Sequence, residues 1–113
     1  MSLNKINVLL NGIIDCSRLL GLPEVDIVHA KEFLNYNEQG LCLDQIVTQL
    51  YEYNIGVNND IYTLVEMAAQ KMSIPIEQYS YLKELIKNEN VIPNAVKIQI
   101  TNIVKDVLEK DSR

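Results

Sequence analysis

The sequence has few of the residues from which catalytic and metal-binding sites are usually built. It contains one histidine, His29, and two cysteines, Cys16 and Cys42, which form no C-x-x-C pattern. Asp26 and Glu32 flank His29 at helical spacing, so a catalytic pair or half of a metal site is one interpretation of this cluster. Because no second histidine is present, we expect a solvent-facing His29 screened by these acids. We expect both cysteines to be buried, reduced thiols, with a structural disulfide as the alternative.

The glycine, serine and apolar residues are too scattered to mark a catalytic loop or a membrane span. Each of the four glycines stands alone, so no phosphate-binding loop is present, and no serine lies in a nucleophile-elbow motif. The longest apolar runs cover only a few residues, whereas a membrane-spanning helix needs about 20. The first residues lack the pattern of a secretory signal. We therefore expect a cytoplasmic protein with no enzymatic activity, cofactor or metal.

The length and composition are those of a single globular domain. The chain has 113 residues, enough for one hydrophobic core. Apolar residues make up 48% and charged residues 22% of it, a balance that disordered chains do not have. We therefore predict one soluble domain over residues 1–113.

The apolar residues recur with the period of an α-helix along most of the chain. After Gly40, for example, Leu43, Ile46, Val47 and Leu50 fall on one helical face. Prolines, glycines and asparagines separate such segments. The patterns place helices at 3–20, between Pro23 and a turn at 36–40, from that turn to about 53, from a cap at Asn58 or Asn59 to a stop at 73–75, at about 77–87 and at about 93–110. We predict an all-α fold, a compact single-domain bundle of five to six amphipathic helices.

The net charge of −5 is concentrated in one part of the sequence. Between Glu24 and Glu66 there are eight acidic residues and one basic residue, Lys31, whereas the flanking segments are nearly balanced. Such a segment disfavours direct nucleic-acid binding and favours a basic protein partner. A solvated acidic face without a partner is the alternative.

Tyrosines are enriched in the same segment. The chain has six tyrosines, one phenylalanine and no tryptophan. On the helix after Gly40, the residues Asp44, Tyr51 and Glu52 share an exposed stripe with Thr48. Tyrosine combines a large contact area with a hydroxyl group and is common in protein interfaces, although its ring can equally lie in the core. We predict a partner-binding surface formed by Asp44, Tyr51, Glu52, Glu32, Glu38, Tyr53, Asn58, Asn59, Asp60, Tyr62 and Glu66.

Several segments resemble a known family of small helical proteins. The most specific are NEQGLCLD at 37–44 and QLYE at 49–52. Others are LLGLP at 19–23, AKEFL at 30–34, YNIGV at 53–57, Met67 with Ala68 and Met72, and Tyr79 with LKEL at 82–85. On these segments the chain resembles the MafI-like immunity proteins that accompany polymorphic and contact-dependent growth-inhibition toxins of bacteria. The resemblance covers about 19–87, and the last predicted helix lies outside it.

The resemblance implies a cytosolic protein that binds and neutralises a cognate toxin domain, often a nuclease, and that has no catalytic residues. A basic toxin domain is therefore the predicted partner, with neither nucleic acid nor membrane bound directly. The alternative is a small helical adaptor or regulatory subunit that binds another protein. We expect a monomer or a weak homodimer, because the broad apolar stripe of the last helix offers a dimer contact.

Overall fold

A computed structural model describes residues 3–113, and these residues form helices and connections without a strand. The α-helices are α1 (Leu3–Leu20), α2 (Glu24–Asn35), α3 (Gln39–Glu52), α4 (Asn59–Lys71) and α5 (Asn94–Asp111). Two 3-10 helices, η1 (Ile76–Gln78) and η2 (Ser80–Val91), lie between α4 and α5. The predicted all-α class is confirmed.

Two of the predicted helix boundaries are set by the expected residues. Gly21 follows α1 with a φ of +103°, and Leu22 N donates to the Ser17 carbonyl at 3.0 Å, as in a left-handed helix stop. The Asn58 side chain accepts a hydrogen bond from Ile61 N at 3.0 Å and caps α4. Gly40, by contrast, lies inside the first turn of α3, which begins one residue earlier than the predicted turn ends.

The segment predicted as a helix at about 77–87 has a different geometry. It forms a 3-10 helix that continues to Val91, beyond the predicted end near residue 87. The physical reason lies in a spacing of three residues between buried side chains, those of Tyr79 directly before the helix and of Leu82 and Leu85 within it. A 3-10 helix has three residues per turn, so these side chains align on one face and all reach the core.

Helix α1 lies at the centre of the molecule. It contacts α2, α3, α4 and α5, and its residues Leu9, Leu10, Ile13 and Ile14 are completely buried. Every helix except the short η1 contributes buried residues to the same hydrophobic cluster. None of the helices in residues 3–113 is long and apolar enough to cross a membrane.

Glycines permit two close approaches between elements. A Cβ added at Gly12 in α1 would lie 2.6 Å from Val107 Cγ2 of α5, closer than real contacts allow. A Cβ at Gly56 would overlap the backbone carbonyl of Asn88 in η2. Since Val57 N also donates to the Leu85 carbonyl at 3.2 Å, the 54–58 connection holds η2 against the bundle.

The C-terminal end of α5 is tied to two other helices by lysines. Lys5 Nζ of α1 donates to the Asp111 carbonyl at 2.9 Å, and Lys71 Nζ at the end of α4 lies 3.3 Å from Asp111 Oδ1. Cations near a helix C-terminus also complement the helix dipole. Three helix ends are therefore held together by these partly buried contacts.

Both cysteines are buried and unbonded, which confirms the prediction of buried free thiols. Burial raises the pKa of the Cys16 thiol to about 12, with smaller contributions from Asp15 and Asp60. Burial alone raises the pKa of Cys42 to about 12. The thiols are therefore held in their unreactive, protonated form.

Candidate functional site

The predicted partner-binding residues lie in several separate places on the molecule. Tyr51 and Glu52 lie on α3 beside η2. Glu32 and Glu38 line a hollow between α2 and α3. Asp60 faces α5. The acidic segment of the sequence therefore contributes to several distinct surfaces instead of one continuous face.

The α3–η2 surface consists of Thr48, Tyr51, Glu52, Tyr81 and Glu84. Within it, two residues of η2 contact Tyr51. The Tyr51 hydroxyl donates to Glu84 Oε2 at 2.9 Å. Its ring meets Tyr81 edge to face, with centroids 4.9 Å apart and an interplanar angle of 85°. This arrangement is a favourable one for aromatic pairs. Tyr51 is nevertheless 39% exposed, so a fixed aromatic ring faces solvent.

The chemistry of the α3–η2 surface is acidic and aromatic. Thr48, Tyr51, Glu52 and Tyr81 line an open hollow of about 290 Å³, and none of these described lining residues is basic. The hydrogen bond to Glu84 raises the pKa of Tyr51, and the charges of Glu84 and Glu52 act in the same direction. The phenol therefore remains protonated and able to donate a hydrogen bond at neutral pH.

Asp44 is exposed, as the stripe on α3 predicted, but it lies in a different hollow from Tyr51. Together with Val47, Gln78 and Tyr79 it lines a small space of about 20 Å³. Tyr53, directly after α3, is 51% exposed. The predicted stripe is therefore at the surface, with Tyr51 and Glu52 at one hollow and Asp44 at another.

Tyr62, which we predicted as part of the partner-binding surface, is buried, in agreement with the alternative of a ring in the core. Tyr62 is only 6% exposed, its ring lies 6.1 Å from that of Tyr79, and the Lys83 ammonium group lies 5.2 Å from its centroid. Burial is the main cause that raises the pKa of Tyr62, and the charge of Glu66 adds to it. Tyr62 is a core side chain in this fold, and Glu66 is a half-buried neighbour of it.

Asn58 and Asn59 have local roles in the structure. Asn58 uses its side-chain oxygen to cap α4, and the Asn59 carbonyl accepts from the Thr63 hydroxyl at 2.9 Å. Asp60 lines an open hollow of about 410 Å³ with residues of α5, among them Lys105 and Leu108. The mixed charge of this hollow distinguishes it from the α3–η2 surface and from the hollow between α2 and α3.

The α2–α3 hollow is a second aromatic and acidic surface. It has a volume of about 390 Å³ and is lined by His29, Glu32, Phe33, Tyr36, Glu38 and Gln45. His29 is exposed, as expected. The sequence analysis did not single out Phe33, Tyr36 or Gln45, because only the packing of α2 against α3 brings these residues to one hollow.

The described residues do not group into a metal site. Within residues 3–113 there is no cluster of three or more His, Cys, Asp or Glu side chains placed to hold a metal ion. We found no match to this chain among protein-family models, curated proteins or solved structures. The resemblance to MafI-like immunity proteins therefore stays a prediction from the quoted segments.

Proposed function

We propose that this chain is a bacterial immunity protein that binds and neutralises a cognate toxin domain, a nuclease of a contact-dependent inhibition or polymorphic toxin system. The observation that carries the proposal is the α3–η2 surface, where an exposed tyrosine is held in place beside two carboxylates. The segments that resemble MafI-like immunity proteins include Tyr51, Glu52 and Glu84 of this surface. In this role the chain acts in the cytoplasm and has no catalytic residues.

The chemistry of the surface suits a nuclease as the partner. A nuclease presents basic side chains to the phosphates of its substrate. Carboxylates of the inhibitor attract such a surface over a distance and favour it over acidic partners. A tyrosine that is already fixed gives a large contact area at little cost in side-chain entropy. Tyr51 therefore serves as the anchor, with Glu52 and Glu84 beside it supplying the charge.

The first experiment is a toxicity rescue. The toxin domain encoded next to this chain is expressed in a sensitive host with and without the chain, and binding of the purified pair is measured over a salt series. We expect rescue, together with binding that weakens as salt rises because ions screen the acidic surface. If the chain binds the toxin domain without rescuing the host, or neither binds it nor rescues the host, the adaptor alternative is favoured.

Charge-reversal variants test the location of the interface. We expect Asp44→Lys/Glu52→Lys to lower toxin affinity about tenfold or more, since both carboxylates are exposed and opposite charge would repel a basic partner. The matched control is Glu77→Lys/Glu89→Lys, which changes the net charge equally but lies outside α3. Equal loss in both variants would mean that total charge decides binding, and unchanged affinity in the first would remove the exposed side of α3 as the binding site.

A further inference from the structure

The α2–α3 hollow combines carboxylates and aromatic rings in its lining. Glu32 and Glu38 put two carboxylates on its lining, and no lysine or arginine is among its described lining residues. Phe33 and Tyr36 put two aromatic rings there, and Tyr36 is 76% exposed. The hollow therefore offers negative charge and aromatic faces in the same space.

A buried acid that contacts a lining residue of this hollow also favours a positively charged ligand. Asp26 is only 5% exposed, and its Oδ1 accepts a hydrogen bond at 3.0 Å from Nε2 of Gln45, which lines the hollow. Its second oxygen, Oδ2, is buried and has no hydrogen-bond partner within the described residues. Asp26 lies in the first turn of α2, where the helix dipole stabilises its charge in part, but it has a single neutral hydrogen-bond donor among the described residues. Positive charge in the hollow, one side chain away, would compensate it.

We propose that the α2–α3 hollow receives an arginine side chain of the partner protein. A guanidinium group is planar, stacks on aromatic rings and donates paired hydrogen bonds to carboxylates. Phe33 and Tyr36 supply the rings and Glu32 and Glu38 the acceptors, while Asp26 holds the Gln45 amide through its nitrogen. Arginine fits this set better than lysine, whose compact ammonium group cannot stack.

This site rests on the proposed function only for the identity of the partner, and it extends the interface beyond the α3–η2 surface. A toxin that contacts both the α2–α3 hollow and the α3–η2 surface would bind two separate acidic sites. The arginine site is a property of the chain itself, so it can be tested without a toxin.

The test is an NMR titration of the full chain with N-acetyl-arginine methylamide, with N-acetyl-citrulline methylamide as the neutral isosteric probe. We expect saturable shifts at residues 29–45 with the arginine probe and about tenfold weaker binding, or none, with the citrulline probe. Glu32→Gln/Glu38→Gln should weaken arginine binding about tenfold, whereas the matched Glu77→Gln/Glu89→Gln pair should not. Equal shifts with both probes, or shifts scattered over the surface, would overturn the site.

The toxin complex then separates this proposal from the immunity role. Two results together support the arginine site and the immunity role: the unchanged chain rescues the host, and Glu32→Gln/Glu38→Gln lowers toxin affinity about tenfold. Rescue with full affinity in this variant overturns the arginine site as part of the interface and leaves the immunity role intact. If rescue fails while the arginine probe binds residues 29–45, the immunity role falls and the arginine site stands.

Discussion

Tyr51 is an exposed side chain that the fold restrains on two sides. Its hydroxyl is bonded to Glu84 and its ring is packed on Tyr81, both of which belong to η2. A side chain that is already restrained loses less entropy on binding than a freely rotating one. The position of η2 therefore decides how firmly Tyr51 is held on α3, and with it the entropy that Tyr51 would lose in the proposed complex.

The pKa of Tyr51 reports this contact directly. We expect Glu84→Gln to lower the pKa of Tyr51 towards the ordinary tyrosine value, because the hydrogen bond to the Glu84 carboxylate is the largest cause of its elevation. The measurement is the ultraviolet absorbance of the phenolate during an alkaline titration, assigned to Tyr51 by comparison with Tyr51→Phe. Glu77→Gln is the control, and an unchanged Tyr51 titration in Glu84→Gln would contradict the observed hydrogen bond.

The buried cysteines are expected to resist thiol reagents in the folded protein. Burial raises the pKa of Cys16 and Cys42 to about 12, which lowers the thiolate fraction about a thousandfold at neutral pH. Both thiols should react at once when the protein is unfolded in denaturant. Rapid labelling of the native chain at about pH 8 would show that the thiols are accessible.

The same thiols also affect stability at high pH. Their folded-state pKa lies above the ordinary value of 9.0 that the unfolded chain would have. Their contribution to the free energy of unfolding is therefore complete below pH 9 and is lost as the pH rises towards 12. In Cys16→Ala/Cys42→Ala this decline should be shallower, which chemical denaturation at a series of pH values can measure.

The residue types in the sequence predicted the acidic and aromatic character of the surface better than they predicted which residues are exposed. Tyr51, Glu52 and Asp44 are exposed as predicted, because one side of α3 faces the core and the other faces solvent. Tyr62 is buried because α4 packs against α1, α3, α5 and η2, so its buried face is wider than one apolar stripe. Periodicity alone does not state how many neighbours a helix has.

At the scale of elements, the helix patterns predicted where the α-helices lie. The exception is η2, where Tyr79 directly before the helix and Leu82 and Leu85 within it are spaced by three. A spacing of three also falls within the scatter of an α-helical pattern, so the sequence does not distinguish the two geometries. The Val57–Leu85 backbone hydrogen bond and the close approach at Gly56 show how the neighbouring loop holds this segment.

The packing of α1 against α5 leads to opposite predictions for two helical glycines. We expect Gly12→Ala to lower the free energy of unfolding by about 1–2 kcal/mol, because overlap with Val107 outweighs the gain in helix propensity. Gly40→Ala should raise it by up to about 1 kcal/mol, since a Cβ there meets no atom within 4 Å. Urea denaturation of the two variants compares them directly.

A second substitution checks the cause of the Gly12 effect. If the overlap with Val107 is responsible, Gly12→Ala/Val107→Ala should lose less stability than the two single variants added together. Strict additivity in this double-mutant cycle would assign the loss to another source. The cycle thus separates a steric contact from a general effect on α1.

At the scale of the whole molecule, the excess negative charge is spread over several surfaces. Glu32 and Glu38 line the α2–α3 hollow, Glu52 lies on the α3–η2 surface and Asp60 lines the hollow beside α5. Of the other acidic residues in this segment, Glu24 pairs with Arg18 and Asp26 is buried. Association with a basic protein therefore depends on the summed field more than on one pair.

Association kinetics should separate this field from the local anchor. We expect the association rate with the toxin domain to fall about tenfold or more as salt rises, because screening weakens long-range attraction. Tyr51→Ala should mainly speed dissociation and keep the same salt dependence of association, since it removes contact area without charge. Stopped-flow or surface-based kinetics can measure both, and a salt-independent association rate would contradict electrostatic steering.

The sequence by itself determined the helical class, the approximate helix positions, the buried thiols and the acidic, tyrosine-rich character of the central segment. These properties follow from local periodicity, capping residues and composition, which do not depend on distant contacts. The tertiary structure alone decided that Tyr51 meets Glu84 and Tyr81, that Tyr62 is buried, and that Phe33, Tyr36 and Gln45 share a hollow. These features depend on which helices pack together, and a partner surface is made where residues distant in the chain meet.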